Sequence, residues 1–347
     1  MSESGPDTEA RELLETLVSI PSPTSEETEC AEALRAFFDE HGREVFIDDV
    51  GNVRAPADDS VLYTSHIDTV PGDIPVRIED GENGPELWGR GSVDAKGSLA
   101  ALAVAAVRTD VSFVGVVGEE VDSRGARHLV EVRAEPDAVV NGEPSGWDAI
   151  TLGYRGILSG TYVATSESGH TSRPENNAIQ DAIAWWSAVE ARFDEGAYEP
   201  VFERVTPKPV RIDGGTSDDG LAVEATLDVQ LRVPPAQTTD EVRELADAEL
   251  EAGTVNWKDA VEPTMQSPRT PVARAFRVAI RESGGEPRLL RKTGTADMNV
   301  YAAAWDCPMA TYGPGDSDLD HAPDEHLELR ELDRSVAVLE RVAEALT

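Results

Sequence analysis

The sequence predicts an α/β protein in which helices flank a mostly parallel, mixed β-sheet. The main support is an alternation of strand, helix and strand between residues 61 and 117. Residues 61–66 and 111–117 are apolar and rich in β-branched side chains, as strands are, and residues 97–107 form a helical segment of small residues between them. Parallel strands need a crossover of this kind, so the alternation indicates a largely parallel sheet covered by helices.

The other elements of this domain lie on both sides of that alternation. Residues 8–18 and 26–40 have the apolar spacing of amphipathic helices, and Pro21 and Pro23 separate them. After residue 270 the pattern again becomes helix, strand and helix. The further predicted strands are 45–53, 138–141 and 306–312, and the further predicted helices are 273–283 and 329–346.

A second domain is predicted between the two parts of the first. Residues 157–165 and 222–233 alternate apolar and polar side chains, whereas 177–192 and 239–251 have helical spacing. Such alternation is typical of a sheet with one face in solvent, which predicts an α+β domain. The predicted division is residues 1–153 and 268–347 for the main domain and residues 154–267 for the inserted one.

The charge of the chain is strongly negative. Its 347 residues include 67 acidic and 30 basic ones, which gives a net charge of −37, and lysine occurs at four positions only. The acidic residues are spread through foldable sequence, which is typical of a protein from a cytoplasm with multimolar salt. There the screening length is about 3 Å or less, and hydrated carboxylates keep the surface dissolved. This charge argues against nucleic acid and anionic membranes as partners.

The location of the protein is predicted from what the sequence does not contain. Cys30 and Cys307 are too few for a disulfide framework. The first residues are acidic and do not have the pattern of a signal peptide. The longest apolar stretch, residues 99–107, is far shorter than the ~20 residues that a membrane-spanning helix needs. We therefore expect a cytoplasmic protein.

Histidines and carboxylates at predicted strand ends form a candidate metal site. His66 ends one strand, the pair Glu119 and Glu120 follows another, and Asp94 lies in a glycine-rich turn between them. Zinc binds imidazole and carboxylate ligands, and a two-metal site needs a carboxylate that bridges the ions. The candidate ligands are His66, Asp94, Glu120, Glu143 and His321.

Two further acidic residues have candidate roles beside those ligands. Glu119 is adjacent to Glu120 but cannot point the same way, which makes it a candidate general base. Asp68 follows His66 by two residues and is a candidate partner for the second nitrogen of that ring. Adjacent glutamates are common on acidic surfaces, and a single histidine is more often a surface residue than a ligand. The position of these groups at strand ends favours the metal site.

In these motifs the sequence resembles the di-zinc amidohydrolase and peptidase family that includes acetylornithine deacetylase and succinyl-diaminopimelate desuccinylase. The motifs occur in the family's order along nearly the whole chain: residues 66–71, 89–97, 119–120, 142–144 and 321–325. The resemblance implies a zinc exopeptidase-like fold and two Zn²⁺ per subunit, with Co²⁺ as a possible replacement. One ion would be bound by His66, Asp94 and Glu143, and the other by Asp94, Glu120 and His321.

The resemblance also implies roles for the inserted domain, which in this family is a lid through which two subunits form a homodimer. His170, in the segment 169–174, resembles the histidine that reaches the active site of the partner subunit and stabilises the oxyanion. Arg232 resembles a lid arginine that lies near the carboxylate of the substrate. An ordinary charge at a strand end is the alternative for Arg232.

The segment 292–299 resembles that of hydrolases that release lysine or ornithine from an amino-group carrier protein, and it makes Thr295 and Asp297 candidate substrate-binding residues. Such carriers are acidic, and Arg288, Arg291 and Lys292 could form a basic landing patch. Three alternatives stay open: a deacylase such as acetylornithine deacetylase or succinyl-diaminopimelate desuccinylase, a carboxypeptidase for small peptides, and a non-catalytic protein that binds the carrier.

Overall fold

The computed structural model describes residues 5–170, 172, 174–194, 199–258 and 260–347. They divide into two compact units. The first contains the chain up to Leu152 together with Gln266–Leu290 and Ala296–Thr347, and the second contains Gly153–Met265 and Arg291–Thr295. Residues 291–295, which the sequence-based division assigns to the main domain, thus belong to the second unit.

Nine α-helices lie within the described residues. They are α1 (Thr8–Val18), α2 (Thr28–Glu40), α3 (Lys96–Thr109), α4 (Arg124–Val132), α5 (Ala178–Asp194), α6 (Thr239–Asp247), α7 (Pro271–Glu282), α8 (Asp297–Ala304) and α9 (Leu329–Leu346). Two short 3₁₀ helices span Val201–Glu203 and Ser317–Leu319.

Sixteen strands lie within the same described residues. They are β1 (Phe46–Ile47), β2 (Val53–Ala55), β3 (Asp58–His66), β4 (Arg77–Asp80), β5 (Pro85–Trp88), β6 (Val111–Val116), β7 (Val139–Gly142), β8 (Ala149–Tyr154), β9 (Gly156–Glu167), β10 (Thr206–Thr216), β11 (Ala222–Val233), β12 (Thr254–Trp257), β13 (Thr264–Met265), β14 (Arg288–Lys292), β15 (Met309–Thr311) and β16 (His326–Glu328).

The first unit is built on a mixed sheet in the order β1-β2-β6-β3-β7-β15-β8, and the chain leaves this unit within β8. Strands β6, β3, β7 and β15 run parallel, whereas β2 and β8 are antiparallel to their neighbours. The α/β class with a mostly parallel, mixed sheet is therefore confirmed. A small sheet, β16-β5-β4, was not predicted.

The predicted strand 45–53 was wrong because a turn interrupts it. The carboxylate of Asp48 accepts hydrogen bonds from the backbone N–H groups of Val50 and Asn52, and Gly51 has φ +105°. Aspartate stabilises a turn in this way, and a positive φ favours glycine. The segment is thus an antiparallel hairpin of β1 and β2.

Helix α3 explains the run of small residues in the sequence. Every residue from Lys96 to Ala106 is buried, since the helix packs against β3, β6 and β7 on one side and against α1 and α9 on the other. Small side chains let a helix lie close to several neighbours at once. The Lys96 ammonium lies inside this packing and donates to the carbonyl oxygens of Leu17 and Ile20, at 2.9 and 2.7 Å.

The second unit contains a four-stranded sheet in the order β10-β11-β9-β12, with antiparallel pairs throughout. Leu227, Val229, Leu231 and Val233 of β11 point to one face, where they form a core with α5 and α6. The intervening residues lie on the opposite face. This matches the one-sided sheet that the alternation predicted. Strand β10, whose exposed residues do not alternate, was not predicted.

Helices α4 and α8, of nine and eight residues, were not predicted. No helix in the described part of the chain is both long and apolar enough to span a membrane.

Candidate metal centre

Three neighbouring strands of the first unit bring side chains to one edge of the sheet. His66 is the last residue of β3, Glu119 and Glu120 lie in the turn after β6, and Glu143 directly follows β7. Strand β3 pairs in parallel with β6 on one side and with β7 on the other. Because the carboxyl ends of parallel strands meet at the same edge, these side chains converge there.

Two loops of the same unit supply the remaining groups. Asp94 lies in the glycine-rich turn just before α3, and His321 lies in the loop between β15 and β16. His321 has φ +61°, in the left-handed region that residues other than glycine seldom adopt. Such strain is concentrated at functional sites, where the surrounding structure maintains it.

The side chains form two groups that share Asp94. The first group is His66, Asp94 and Glu143, and the second is Asp94, Glu120 and His321. His66 Nε2 lies 3.1 Å from Asp94 Oδ1 and 3.9 Å from Glu143 Oε1. His321 Nε2 lies 3.1 Å from both Asp94 Oδ2 and Glu120 Oε2.

These separations fit a pair of metal ions. A tetrahedral zinc ion with ligands at 2.0–2.2 Å holds neighbouring ligand atoms about 3.3–3.6 Å apart. Asp94 offers one oxygen to each group, as a bridging carboxylate must. In addition, Glu120 Oε1 is buried without a hydrogen-bond partner among the described residues. The donor set and the unpaired oxygen therefore fit two divalent cations.

The pKa values reflect how closely like charges are packed. Burial, followed by the negative charge of Glu143, raises the pKa of Glu119 well above its usual range. Burial and the charge of Asp94 also raise the pKa of Glu120. A hydrogen bond with Asp94 raises the pKa of His321 to about 9. Divalent cations would offset the repulsion between these carboxylates.

His66 is oriented by its own strand end. Its Nδ1 lies 2.9 Å from the backbone oxygen of Asp68, which can only accept a hydrogen bond, so Nδ1 carries the proton. Nε2 is then free to bind a cation on the side of Asp94. The Asp68 carboxylate, which the sequence placed against this ring, is 3.7 Å away from Nδ1.

That carboxylate also organises the turn after β6. Asp68 Oδ1 accepts from the backbone N–H of Glu119 at 3.1 Å, and Oδ2 accepts from the N–H of Glu120 at 3.2 Å and from the Thr24 hydroxyl at 2.7 Å. One buried side chain thus fixes the backbone of both glutamates. Glu119 itself belongs to neither ligand group.

Sequence reasoning missed the role of Glu325, which lies in the quoted segment 321–325. Its fully buried carboxylate accepts from the N–H groups of Val93 and Asp94, at 2.9 and 3.1 Å, and from Arg90 at 2.7 Å. It therefore fixes the backbone that carries the shared ligand. The sequence contained one signal for this contact. Arg90 lies in the segment 89–97 and Glu325 in the segment 321–325, and residues of opposite charge in two site motifs are candidates for an ion pair.

Three predicted site residues, His170, Arg232 and Thr295, belong to the second unit. His170 is exposed, and its Nδ1 accepts from the N–H of Ser172. The neutral ring therefore carries its proton on Nε2, which can act as a donor. Thr171 and Arg173 of the same predicted segment lie outside the described residues.

Asp297 is buried, whereas two arginines of the predicted landing patch form ion pairs near the surface. Asp297 lies in the first unit, is 1% exposed and bonds Ser123, and burial raises its pKa to about 6. Arg288 pairs with Asp148 at 2.7 Å, and Arg291 pairs with Glu203 at 2.9 Å. These arginines are thus partly neutralised by local carboxylates.

Comparisons with known proteins identify similar chains. The model of peptidase family M20/M25/M40 matches residues 62–345. LysW-lysine hydrolase of Deinococcus radiodurans is 41% identical, over 95% of each chain. A putative LysW-lysine/LysW-ornithine hydrolase of Thermococcus kodakarensis is 37% identical, over 96% of this chain and 91% of the relative. The structure of an M20 family metallo-carboxypeptidase from Sulfolobus solfataricus has a TM-score of 0.79 at 18% identity, over 97% and 99% of the chains.

Proposed function

Because the chain belongs to peptidase family M20/M25/M40, we propose that it hydrolyses the amide that joins lysine or ornithine to the terminal glutamate of an amino-group carrier protein. Family membership makes it a hydrolase, and the printed names of its relatives support this substrate. The observation that carries the proposal is the pair of ligand groups that share Asp94, with Glu119 beside them.

His66, Asp94 and Glu143 would hold one Zn²⁺, and Asp94, Glu120 and His321 would hold the other. Cobalt suits the same ligands. The two ions would supply Lewis-acid activation of the amide carbonyl and of the attacking water. Metal analysis of the purified protein, with two ions per chain expected, tests this assignment.

Glu119 acts as the general base and then as the general acid. It takes a proton from the attacking water as the hydroxyl adds to the amide carbon, and it delivers that proton to the leaving α-amino group. The products are the carrier with a free side-chain carboxylate and the free amino acid.

The proposed roles of the other predicted residues follow the same chemistry. The Nε2–H of His170 would donate to the oxyanion that forms on the amide oxygen. Arg232 would bind a carboxylate of the substrate, and Thr295 and Asp297 would help to position its amino-acid portion.

Replacement of Glu119 tests the mechanism. Glu119→Gln should keep the metal content but lower kcat by about 10²–10⁴-fold, because the amide cannot take the proton. Glu131→Gln, an exposed position on α4, is the control and should keep full activity. A Glu119→Gln protein with unchanged kcat would remove this residue from the base role.

A substrate panel at high salt tests the proposed substrate. The carrier conjugates of lysine and ornithine should be hydrolysed with much higher kcat/KM than acetylornithine, succinyl-diaminopimelate or small dipeptides. Hydrolysis of acetylornithine alone would identify a deacylase. Tight binding of the carrier with bound metal and no turnover would favour the non-catalytic alternative.

A homodimer through the second unit is also proposed. Strand β10 is an edge of its sheet, its residues from Lys208 to Thr216 are exposed, and Val210 and Ile212 expose 59% and 57% of their area. Long exposed edges of this kind pair readily with a second chain.

Light scattering measures the oligomeric state. The protein should form a dimer, and Ile212→Lys should shift it to monomer, because a buried charge opposes strand pairing. Val278→Lys, at a 52% exposed position on α7, should leave the dimer intact. A monomer in the unaltered protein contradicts the proposal.

A further inference from the structure

The loop that carries Glu119 and Glu120 begins and ends at residues that lie next to each other. The N–H of Gly125 donates to the carbonyl oxygen of Val117 at 2.9 Å, so residues 118–124 form a closed loop between them. This loop connects the end of β6 to the start of α4. The positions of both glutamates therefore depend on how the two ends of the loop are held together.

The side chain of Asn52 joins these two ends. Its Oδ1 accepts from the N–H of Val117 at 3.1 Å, and its Nδ2 donates to the carbonyl oxygen of Gly125 at 3.0 Å. Nδ2 also donates to Asp48 Oδ2 at 3.1 Å. Asn52 is completely buried. Since the oxygen of an amide only accepts and its nitrogen only donates, these three partners fix the orientation of the side chain.

The packing between Asn52 and the loop ends is tight. A Cβ atom at Gly125 would collide with Asn52 Oδ1 and would lie only 2.5 Å from the backbone nitrogen of Val117. Contacts between unbonded atoms are normally 3.5–4.0 Å long. The glycine thus leaves just enough room for the asparagine amide to lie against both ends of the loop.

The loop also contains two backbone turns that need support. Gly118 and Ser123 have φ +78° and +53°, and the carbonyl oxygen of Gly118 accepts from the N–H groups of Asp122 and Ser123, at 3.1 and 2.7 Å. A serine seldom adopts a positive φ, so contacts around the loop must maintain this conformation.

Asp68 and Asn52 hold the loop at different points. Asp68 accepts from the N–H groups of Glu119 and Glu120 inside the loop, whereas Asn52 bonds the residues that close it. Asp68 fixes two N–H groups but not the direction in which the chain enters and leaves the loop. Both contacts together determine where the two glutamate carboxylates lie.

A local role in the turn between β1 and β2 explains only part of this arrangement. Asp48 already organises that turn, since its Oδ1 accepts from the N–H groups of Val50 and Asn52. Two of the three side-chain contacts of Asn52 instead reach residues 65 and 73 positions away. These distant contacts are the ones that close the loop.

We propose that Asn52 is a positioning residue for both glutamates of the loop, the general base Glu119 and the metal ligand Glu120. It belongs to neither ligand group and acts by holding Val117 and Gly125 together. The proposal rests on the proposed function for the roles of the two glutamates. A misplacement of about 1 Å at a reacting group lowers a rate by about 10²-fold, so an opened loop should affect both carboxylates.

Hydrogen exchange in the metal-free protein tests the contact directly. Asn52→Ala should increase the exchange rates of the amides in residues 118–124 by about 10-fold, as expected for the loss of two buried hydrogen bonds. A purely local role would increase exchange in residues 46–55 alone and would overturn the proposal. Asn83→Ala, at an exposed asparagine that donates to Glu328, is the control and should leave both segments unchanged.

Metal affinity provides a second measurement. Glu120 belongs to only one ligand group, so Asn52→Ala should weaken the binding of that ion by about 10- to 100-fold. The ion of the other group should bind as before. Chelator competition and the visible spectrum of the protein loaded with Co²⁺ distinguish the two ions. Equal weakening of both would indicate general destabilisation and would contradict the proposal.

Kinetics separate positioning from a merely structural role. With saturating metal, Asn52→Ala should lower kcat by about 10- to 100-fold and change KM much less. In the Glu119→Gln background, the same substitution should have almost no further effect on kcat, because the base that it positions is already absent. Losses of kcat that multiply would show that Asn52 acts elsewhere.

A second variant covers the case in which Asn52→Ala does not fold. Asn52→Asp has the same shape and still accepts from Val117, but it cannot donate to Gly125, so it should give the same pattern of effects. A folded variant with unchanged exchange, metal affinity and kcat would overturn the proposal and leave the proposed function intact. Exchange and metal binding involve no substrate, so they test Asn52 even if the carrier conjugate is not hydrolysed.

Discussion

The metal centre of the first unit and a group of three arginines in the second unit both place side chains of like charge close together. In the first unit, Asp94, Glu119, Glu120 and Glu143 bring negative charges together, with two imidazoles among them. In the second unit, burial and then the positive charges of Arg232 and Arg204 lower the pKa of Arg155 to about 10. Like charges that lie close together repel one another, and divalent cations would offset this repulsion in the metal centre.

The two sites differ in how firmly their side chains are held. Asp94 sits on a backbone fixed by Glu325, and Glu119 and Glu120 sit on a backbone fixed by Asp68. In contrast, Arg204 and Arg232 have long side chains, and each has one buried N–H group without a partner in the described part of the chain. A metal centre needs fixed geometry, since ligand distances vary by only a few tenths of an ångström.

Removal of the shared ligand should have the largest effect. Asp94→Asn should lower the metal content below one ion per chain and decrease kcat/KM by about 10³-fold or more, since metal activation contributes several kcal/mol. Metal analysis and kinetics measure both quantities. A variant that keeps two ions would contradict the bridging role.

Loss of the buried carboxylate behind that ligand should have a smaller effect. Glu325→Gln weakens the contact with Arg90 and the backbone of Asp94, so zinc affinity or activity should fall by about 10- to 100-fold. Competition with a chelator measures the affinity. Glu328→Gln, at a residue that accepts from Asn83 on the surface, is the control and should have no effect.

Replacement of Arg108, an arginine on the surface with three carboxylate partners, should have the smallest effect. Arg108 pairs with Asp7, Glu9 and Glu340, and its hydrogen bonds lower the pKa of Asp7 and Glu9 although burial opposes this. Carboxylates with lowered pKa stabilise the fold above their unfolded pKa of about 4, and this stabilisation is lost as the pH falls.

Arg108→Gln should therefore lower Tm by about 2 °C or less near pH 7, because partly exposed pairs contribute little. The difference should decrease as the pH is lowered from 7 to 3, and it should also decrease in multimolar salt. Calorimetry at both pH values measures it, with Arg35→Gln as the control at a single exposed pair. A difference that grows at low pH would show that the sign of the linkage is wrong.

Local sequence determined much of this protein. Periodicity predicted α1, α9 and β11 with the ends that the structure has, because each has an apolar face of regular spacing. The sequence also predicted which histidines and carboxylates form the candidate metal centre, since each ligand lies in a short motif, either at a strand end or, for Asp94 and His321, in a loop. Their roles as ligands, and that of Glu119 as base, stay predictions that the variants above test.

Tertiary structure alone decided the contacts between residues distant along the chain. Glu325 fixes Asp94 across 231 positions, and Asp68, which faces the ring of His66 as predicted, also holds the backbone of Glu119. Arg204 has no motif, and only the register of β10 against β11 brings it to Arg232. Periodicity records which face of an element is buried, but strand pairing and loop closure determine which charges meet, and no local pattern encodes them.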